Sequence, residues 1–172
     1  MTIIVCPLSR VDELVEQHQP SRVISLLDPD FTFPDLGPAY DGRHLRLRFH
    51  DVHEAADNEI APAAEHVESL LAFLGGTQPG EHLLIHCRAG ISRSTAAAFI
   101  AACFLNPDVP ELDLAVALRR AAPLARPNQV LVALADAAMA RDGRMSAAIT
   151  ATGRNLPWTG ANEGDVFEMP GT

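Results

Sequence analysis

The sequence of 172 residues contains no lysine, and each of its 13 basic residues is an arginine. The missing side-chain amine excludes mechanisms that depend on lysine, namely Schiff-base chemistry, pyridoxal-phosphate chemistry and nucleotide hydrolysis by a Walker-type loop. Acidic residues outnumber basic ones, so the formal net charge is −9. A protein of this charge repels nucleic acids and anionic membranes, and we expect neither as a partner.

Cysteine is also scarce, with only Cys6, Cys87 and Cys103 in the chain. Three scattered cysteines provide neither a disulfide framework nor a tetrahedral zinc site. No apolar run approaches the roughly 18 uninterrupted residues of a membrane span. The apolar N-terminal run lacks the basic start and the length of a signal peptide. We therefore expect a cytoplasmic protein.

The rest of the chain alternates between strand and helix patterns. Apolar and β-branched runs predict strands at residues 2–6, 22–27, 44–49 and 82–86. Strands separated by helices indicate an α/β fold, with a mostly parallel central sheet of four to five strands flanked by helices. We predict one domain over residues 1–152, followed by a C-terminal tail, residues 153–172, without a core of its own.

One segment of the chain carries a recognisable chemistry. Cys87 directly follows the fourth predicted strand and Arg93 lies at the start of an alanine-rich helix, and we call residues 87–93 the Cys loop. Backbone N–H groups that converge before a helix bind anions, and Gly90 lets the chain bend there. Because such a site stabilises a thiolate, we predict that Cys87 is a nucleophile. The alternative is a buried, unreactive cysteine.

The neighbouring residue types suit covalent phosphoryl transfer. The planar guanidinium of Arg93 can bind two phosphoryl oxygens at once, which lysine cannot do. Ser94 can donate a hydrogen bond to the sulfur when the covalent intermediate is hydrolysed. The residues predicted to bind the phosphate are Arg88, Ala89, Gly90, Ile91, Ser92 and Arg93.

The order His86, Cys87, five residues, Arg93 and Ser94 resembles the signature of the protein tyrosine phosphatase superfamily. Within it, the segment is similar to the small dual-specificity-like cysteine phosphatases of bacterial type. The resemblance covers about residues 1–141 and implies a phosphatase-type fold, with the Cys loop between a strand and a helix. It also implies that His86 orders the loop through hydrogen bonds and takes no direct part in catalysis.

The resemblance implies an activity as well. Members of this group hydrolyse phosphomonoesters through a cysteinyl-phosphate intermediate, without a metal ion or a cofactor. The expected partner is a phosphorylated protein or a small phosphomonoester. Phosphotyrosine is the favoured substrate, with phosphoserine and phosphothreonine as further candidates, because the loop lacks the lysines that are usual in phosphoinositide phosphatases.

Ester hydrolysis also needs a general acid, which protonates the leaving oxygen and then activates water. The family uses an upstream aspartate. Asp51 is favoured because it follows the strand at residues 44–49, whose carboxyl end is expected beside that of the fourth strand. Asp57 is the alternative, while Glu54 and Glu59 are weaker candidates. The interpretation that both aspartates only cap a helix or lie in solvent stays open.

Other functions share parts of this pattern. Rhodanese-like sulfurtransferases and some arsenate reductases also hold an anion above a loop cysteine, and a phosphate-binding module without turnover would keep the loop. The Arg93-Ser94 pair at this spacing favours a phosphatase over a sulfurtransferase. His50 and His53 flank Asp51, and we interpret them as solvated loop residues rather than as ligands of substrate or metal.

Overall fold

In a computed structural model, which describes residues 1–54, 56–153 and 163–171, the chain forms a five-stranded sheet with helices on both faces. The strands are β1 (Thr2–Pro7), β2 (Arg22–Leu27), β3 (His44–Arg48), β4 (His82–Cys87) and β5 (Phe167–Pro170). The helices are α1 (Val11–His18), α2 (Ala64–Gly75), α3 (Arg93–Leu105), α4 (Glu111–Ala121), α5 (Gln129–Ala138) and α6 (Arg144–Ala151).

The sheet has the order β3-β2-β4-β1-β5. The pairs of β1 with β4, β4 with β2 and β2 with β3 are parallel, whereas β5 runs antiparallel to β1. The central strand β4 is apolar on both faces, and its residues Leu83, Leu84 and Ile85 are fully buried. This pattern is typical of a parallel strand covered by helices on both sides. The predicted fold class is confirmed.

The two faces of the sheet carry unequal layers. On one face lies α1, and its Val11 and Leu14 form a small core with residues of β1, β2 and β4. On the other face α2 to α6 enclose the larger core. Helix α3 lies inside this layer, and its residues from Arg93 to Cys103 are all buried. Within the described ranges, no helix is long and apolar enough to cross a membrane.

The C-terminal segment forms an edge strand of the sheet. Residues Phe167 and Met169 are buried in the larger core, and β5 pairs with β1 so that Val5 lies opposite Phe167. A strand of four residues that ends at Pro170 is too short to show a clear alternation in the sequence. The boundary predicted at residue 152 stays a prediction, because residues 154–162, including Trp158, lie outside the described part of the chain.

The carboxyl ends of three neighbouring strands bring the predicted site together. Asp28 follows β2, the acidic segment containing Asp51 follows β3, and Cys87 ends β4. The register places Leu26 opposite Cys87 and Leu27 opposite Arg48. Ligands of open parallel sheets bind at this edge, and the cleft described next lies there.

Candidate active site

The Cys loop places the sulfur of Cys87 at the floor of a cleft. The residue ends β4 and is 2% exposed. The backbone N–H of Gly90 donates a hydrogen bond to Sγ over 3.2 Å, and the Ser94 hydroxyl lies 3.1 Å from the same sulfur. Both groups can donate a hydrogen bond to the sulfur.

Gly90 is required by the close approach of the Cys loop to β1. Its φ is +72°, and a Cβ at this position would lie 2.8 Å from the backbone nitrogen of Pro7. A side chain would therefore strain the backbone and collide with the end of β1. The N–H of Leu8 also donates to the carbonyl of Arg88 over 3.1 Å. The loop is thus held against β1 by contacts that leave little room for movement.

The C-terminal segment supports the same loop from another direction. The N–H of Gly164 donates to the carbonyl of Ala89 over 2.7 Å. A Cβ at Gly164 would lie 2.9 Å from the carbonyl oxygen of Gly90. Nearby, the Ser9 hydroxyl donates to Glu163 over 2.8 Å. The sequence analysis missed this support, because glycine in a segment of low hydrophobicity carries no signal of a contact with a distant loop.

Arg93 is buried beside the sulfur, with its guanidinium fixed on two sides. Its Nη1 donates to the carbonyl of Phe49 over 2.6 Å, and its Nη2 donates to Oδ2 of Asp28 over 3.0 Å. The residue is 3% exposed. Its Nε has no hydrogen-bond partner in the described part of the chain. A buried donor without a partner is costly, and a phosphoryl oxygen would satisfy it.

Asp28 is a site residue that the sequence analysis did not single out. Its carboxylate forms an ion pair with Arg93 and lines the cleft. This pair fixes the plane of the guanidinium, which determines how two phosphoryl oxygens can be bound. The available signal was its position, because Asp28 directly follows the second strand and shares the carboxyl edge of the sheet with Asp51 and Cys87.

Asp51 lies at the edge of the cleft and is held through one oxygen. Its Oδ1 accepts hydrogen bonds from the Ser92 hydroxyl over 2.7 Å and from Nδ2 of Asn128 over 2.8 Å. Asn128 is itself 2% exposed, and its side-chain oxygen accepts from the N–H of Leu131 at the start of α5. Oδ2 of Asp51 makes no hydrogen bond to any described residue, so it is the oxygen left for a substrate.

The other acidic candidates are placed differently. Glu59 lines the cleft, and its Oε2 accepts a hydrogen bond from the N–H of Ala56 over 2.9 Å. Neither Asp57 nor Glu54 is among the described residues that line the cleft. The arrangement therefore brings Asp51 closer to the Cys loop than it brings Asp57.

Two histidines flank Asp51 and also line the cleft. His50 joins the two ends of the segment of residues 50–60. Its N–H donates to the carbonyl of Ile60 over 2.7 Å, and its Nδ1 accepts from the N–H of Ile60 over 2.8 Å. His53 is exposed. No three side chains of metal-ligating type gather into a possible ion site anywhere in the described ranges. His50 thus has a clear role in holding the segment.

His86 lies behind the Cys loop in a buried chain of polar groups. The Ser25 hydroxyl is 2.5 Å from Nε2 of His86 and 2.7 Å from Nε2 of His44. Burial lowers the pKa of His86 to about 4, with a hydrogen bond to the Cys87 backbone opposing the shift and nearby His44 adding to it. Burial and nearby Arg46 lower the pKa of His44 to about 4. Both rings are therefore neutral near pH 7.

The remaining two cysteines are chemically different from Cys87. Burial raises the pKa of Cys6 to about 12, and nearby Cys87 adds to this shift. Burial, with a further contribution from Glu111, raises the pKa of Cys103 to about 12. With these pKa values, both thiols are protonated near neutral pH. Because a cysteine nucleophile must be deprotonated, neither of them can take the role of Cys87.

The cleft is large and contains several positive charges. It has a volume of about 840 Å³, and its described lining includes Arg88, Arg93, Arg119 and Arg126. Arg88 also lies over the ring of Phe31, at 5.0 Å from the ring centre. An anion is attracted to such a local concentration of arginines even in a protein of net negative charge.

Comparison with known proteins identifies the fold. No protein-family model and no curated protein sequence matches the chain. Among solved structures, a human tyrosine phosphatase-like serine/threonine/tyrosine-interacting protein superposes with a TM-score of 0.61 and 20% identity, covering 81% of this chain and 92% of that one. DUSP15 superposes with a TM-score of 0.60 and 18% identity over 87% and 90% of the two chains.

A third structure gives the same result. The Yvh1 phosphatase domain from Chaetomium thermophilum superposes with a TM-score of 0.58 and 17% identity over 83% of this chain and 93% of its own. These three structures agree in showing that the fold is shared. One of the three is described as phosphatase-like, so the reaction has to be argued from the side chains in the cleft.

Proposed function

Because the chain has the fold of the dual-specificity phosphatases, we propose that it hydrolyses phosphotyrosine monoesters, and phosphoserine or phosphothreonine as further substrates, through a cysteinyl-phosphate intermediate. One observation carries this proposal. The sulfur of Cys87, which receives a hydrogen bond from Gly90, lies in the same cleft as the buried guanidinium of Arg93, whose Nε has no partner among the described residues. A nucleophile and an oxyanion donor are thereby combined in one site.

In the first step, the phosphoryl group enters the Cys loop. Arg93 and the backbone N–H groups of the loop bind its oxygens, and the thiolate of Cys87 attacks phosphorus. The S–P bond forms while the bond from phosphorus to the ester oxygen breaks. Asp51 gives its proton to that oxygen, so the alcohol or phenol leaves neutral.

In the second step, water attacks the phosphocysteine. Asp51, now a carboxylate, accepts a proton from the water as the new P–O bond forms and the S–P bond breaks. The hydroxyl of Ser94, 3.1 Å from the sulfur, donates a hydrogen bond to the departing thiolate. Inorganic phosphate is released, and the enzyme returns to its starting state.

The contacts of Asp51 support its assignment as the acid. Ser92 and Asn128 both donate to Oδ1, which fixes the carboxyl group at the edge of the Cys loop. The proton can then be carried by Oδ2. Asp57 makes no such contact with the Cys loop among the described residues, and it stays the alternative acid that the experiment below compares with Asp51.

The test is hydrolysis of para-nitrophenyl phosphate against pH in the presence of a chelator. The variants are Cys87→Ser with Cys103→Ala as its control, and Asp51→Asn with Asp57→Asn as its control. We expect turnover that survives the chelator and is lost in Cys87→Ser. In Asp51→Asn, the rate should no longer fall at high pH, because the group whose deprotonation causes that fall is absent. If the wild type binds phosphate without any turnover, the chain is a binding module and the proposal fails.

A further inference from the structure

The C-terminal segment, residues 163–171, meets the Cys loop at the peptide unit that joins Ala89 to Gly90. The N–H of Gly164 donates to the carbonyl oxygen of Ala89 over 2.7 Å. The N–H of the same unit, which belongs to Gly90, donates to Sγ of Cys87 over 3.2 Å. A trans peptide unit is planar, and its carbonyl and its N–H point in opposite directions. The donor on Gly164 and the sulfur therefore hold the two ends of one rigid group.

The orientation of this peptide unit decides which partial charge faces an anion in the Cys loop. With its N–H directed at the sulfur, the unit presents a positive partial charge there. If the unit turned over, its carbonyl oxygen would face the same position and repel an anion. The preceding unit is held in the same way, because the carbonyl of Arg88 accepts from the N–H of Leu8 over 3.1 Å. Donors from two other segments thus hold both carbonyls and turn the N–H groups of the same units away from those donors.

The close approach of the two backbones leaves no space for a side chain at position 164. A Cβ on Gly164 would lie 2.9 Å from the carbonyl oxygen of Gly90 and 3.1 Å from Cγ1 of Ile91. Gly90 also lies against β1, where a Cβ of its own would be 2.8 Å from the backbone nitrogen of Pro7. The peptide unit before Gly90 therefore has little room to turn while the C-terminal segment is in place.

The C-terminal segment is anchored to the sheet rather than to the Cys loop. Its strand β5 pairs antiparallel with β1, and the side chains of Phe167 and Met169 are buried in the larger core. At its far end, the N–H of Gly171 donates to the carbonyl of Met1 over 2.9 Å. Because the segment meets the Cys loop just before β5 begins, the sheet determines where the N–H of Gly164 lies.

We propose that Gly164 is a positioning residue for the proposed reaction, because its N–H holds the Ala89 carbonyl and thereby keeps the Gly90 N–H directed at the reacting atoms. The inference rests on the proposed function. The Gly90 N–H donates to the sulfur before substrate enters, and it is one of the backbone donors available to the phosphoryl oxygens afterwards. Gly164 acts only through the peptide unit that it orients. The C-terminal segment is by this account a part of the active site.

The test compares the same substitution at the two ends of the C-terminal segment. Gly164→Ala crowds the Cys loop, whereas the matched control Gly171→Ala crowds Met1, whose Cγ would be 2.8 Å from the new Cβ. For para-nitrophenyl phosphate we expect kcat/KM to fall by about tenfold in Gly164→Ala and to stay within about twofold of wild type in Gly171→Ala. Gly164→Pro also removes the N–H and should lose about 10²-fold. Thermal denaturation identifies any loss of folding, and if Gly164→Pro does not fold, Gly164→Ala decides.

A nuclear magnetic resonance signal reports the orientation of the peptide unit directly. The sequence contains 11 glycines, but alanine directly precedes glycine only at residues 89–90. Labelling the alanine carbonyls with carbon-13 and the glycines with nitrogen-15 therefore marks the amide signal of Gly90 by a coupling that no other glycine shows. We expect this signal to move in Gly164→Ala and Gly164→Pro and to keep its position in Gly171→Ala. A merely structural role of Gly164 would lower the stability and leave the signal of the folded protein unchanged.

Titration with inorganic phosphate separates this inference from the proposed function. In wild type, phosphate should shift the Gly90 signal, and its Kd should rise by about tenfold in Gly164→Ala, the effect of one charged hydrogen bond. That result in a protein without turnover would support the positioning role of Gly164 and defeat the phosphatase assignment. Wild-type turnover in the folded Gly164 variants, or a Gly90 signal that neither variant moves, would overturn the inference and leave the phosphatase assignment intact. An equal loss of turnover in Gly171→Ala would also overturn it.

Discussion

The two segments that form the cleft are held in very different ways. The Cys loop is fixed mainly through its backbone, which contacts Leu8 of the segment after β1 and Gly164 of the C-terminal segment. The segment of residues 50–60 is fixed at its base by the pairing of His50 with Ile60, and at Asp51 by two side-chain hydrogen bonds. The phosphate-binding half is therefore built into the sheet, whereas the acid is positioned by a few side chains.

This difference makes the two segments respond differently to substitution. Removing a reacting group from the Cys loop should abolish chemistry, while the loop itself keeps its shape. Removing a contact of Asp51 should lower the rate in part, because the carboxyl group is still present but less well placed.

The largest effect is expected for Cys87→Ser. Turnover should fall on the order of 10⁴-fold or more, because a hydroxyl with no adjacent base is a poor nucleophile. Vanadate or phosphate should still bind, since the backbone N–H groups and Arg93 are unchanged. Calorimetric titration with phosphate checks this. Loss of both turnover and binding would show that the Cys loop needs its sulfur to keep its shape, which would contradict the expectation that the loop is held by its backbone contacts.

Arg93→Lys tests the other reacting group of the loop. Lysine cannot contact Phe49, Asp28 and two phosphoryl oxygens at once, so we expect kcat to fall by about 10²- to 10³-fold. Steady-state kinetics with phenyl phosphate measure this. Asp28→Asn keeps the shape but weakens the ion pair, and a fall of about tenfold is expected. Equal activity of all three proteins would contradict the proposed role of Arg93.

Asp51→Asn tests the acid on the other segment. For phenyl phosphate, whose leaving group needs a proton, kcat should fall by about 10²-fold. The effect should be smaller for a substrate whose leaving group is stable as an anion. Asp57→Asn is the matched control and should stay within about twofold of wild type, an estimate for a group outside the site. The reverse result would move the acid to Asp57.

Asn128→Ala separates positioning from chemistry. It removes the donor to Asp51 and the N-cap of α5, so we expect kcat to fall by about tenfold and the free energy of unfolding to fall by about 1 kcal/mol. Urea denaturation measures the stability. The basic limb of the pH profile should persist, because Asp51 remains. A profile without that limb would mean that Asn128 does more than position the acid.

The smallest effect concerns the buried histidines behind the loop. The pKa of His44 and that of His86 are both lowered from 6.5 to about 4, so the unfolded chain binds protons at a higher pH than the folded protein. Their contribution to the free energy of unfolding is complete above pH 6.5 and declines as the pH falls to about 4. Urea denaturation against pH should show this slope, and His44→Gln should reduce it. An unchanged slope in His44→Gln would contradict the role of burial.

Much of the Cys loop could be predicted because its signal is local. Cys87, Gly90 and Arg93 lie within one strand, loop and helix that are continuous in the sequence. The parallel sheet followed from strands separated by helices, and parallel neighbours brought Asp51 to the same edge as the cysteine.

The rest depends on contacts between distant segments. Asp28 forms an ion pair with Arg93, which lies 65 positions later in the chain. The residues near either of them contain no pattern that predicts this pair. The C-terminal segment pairs with the edge of β1 through β5. This pairing brings Gly164, which precedes β5, to the Cys loop. The guanidinium of Arg119 donates to three carbonyls beside the cleft, one of them in Gly153, which is 34 positions away in the chain. Such pairings are set by the tertiary fold, not by any local pattern.

In the proposed reaction, the phosphoryl group is transferred to the sulfur of Cys87. Asp51→Asn should slow hydrolysis of the intermediate, because it lacks the carboxylate that activates water. Mixing this variant with para-nitrophenyl phosphate, quenching in acid and analysing the peptides by mass spectrometry tests this transfer directly. We predict a phosphoryl adduct on the peptide that contains Cys87, and only there. Release of nitrophenol without any adduct on Cys87, or with an adduct on another residue, would contradict the account.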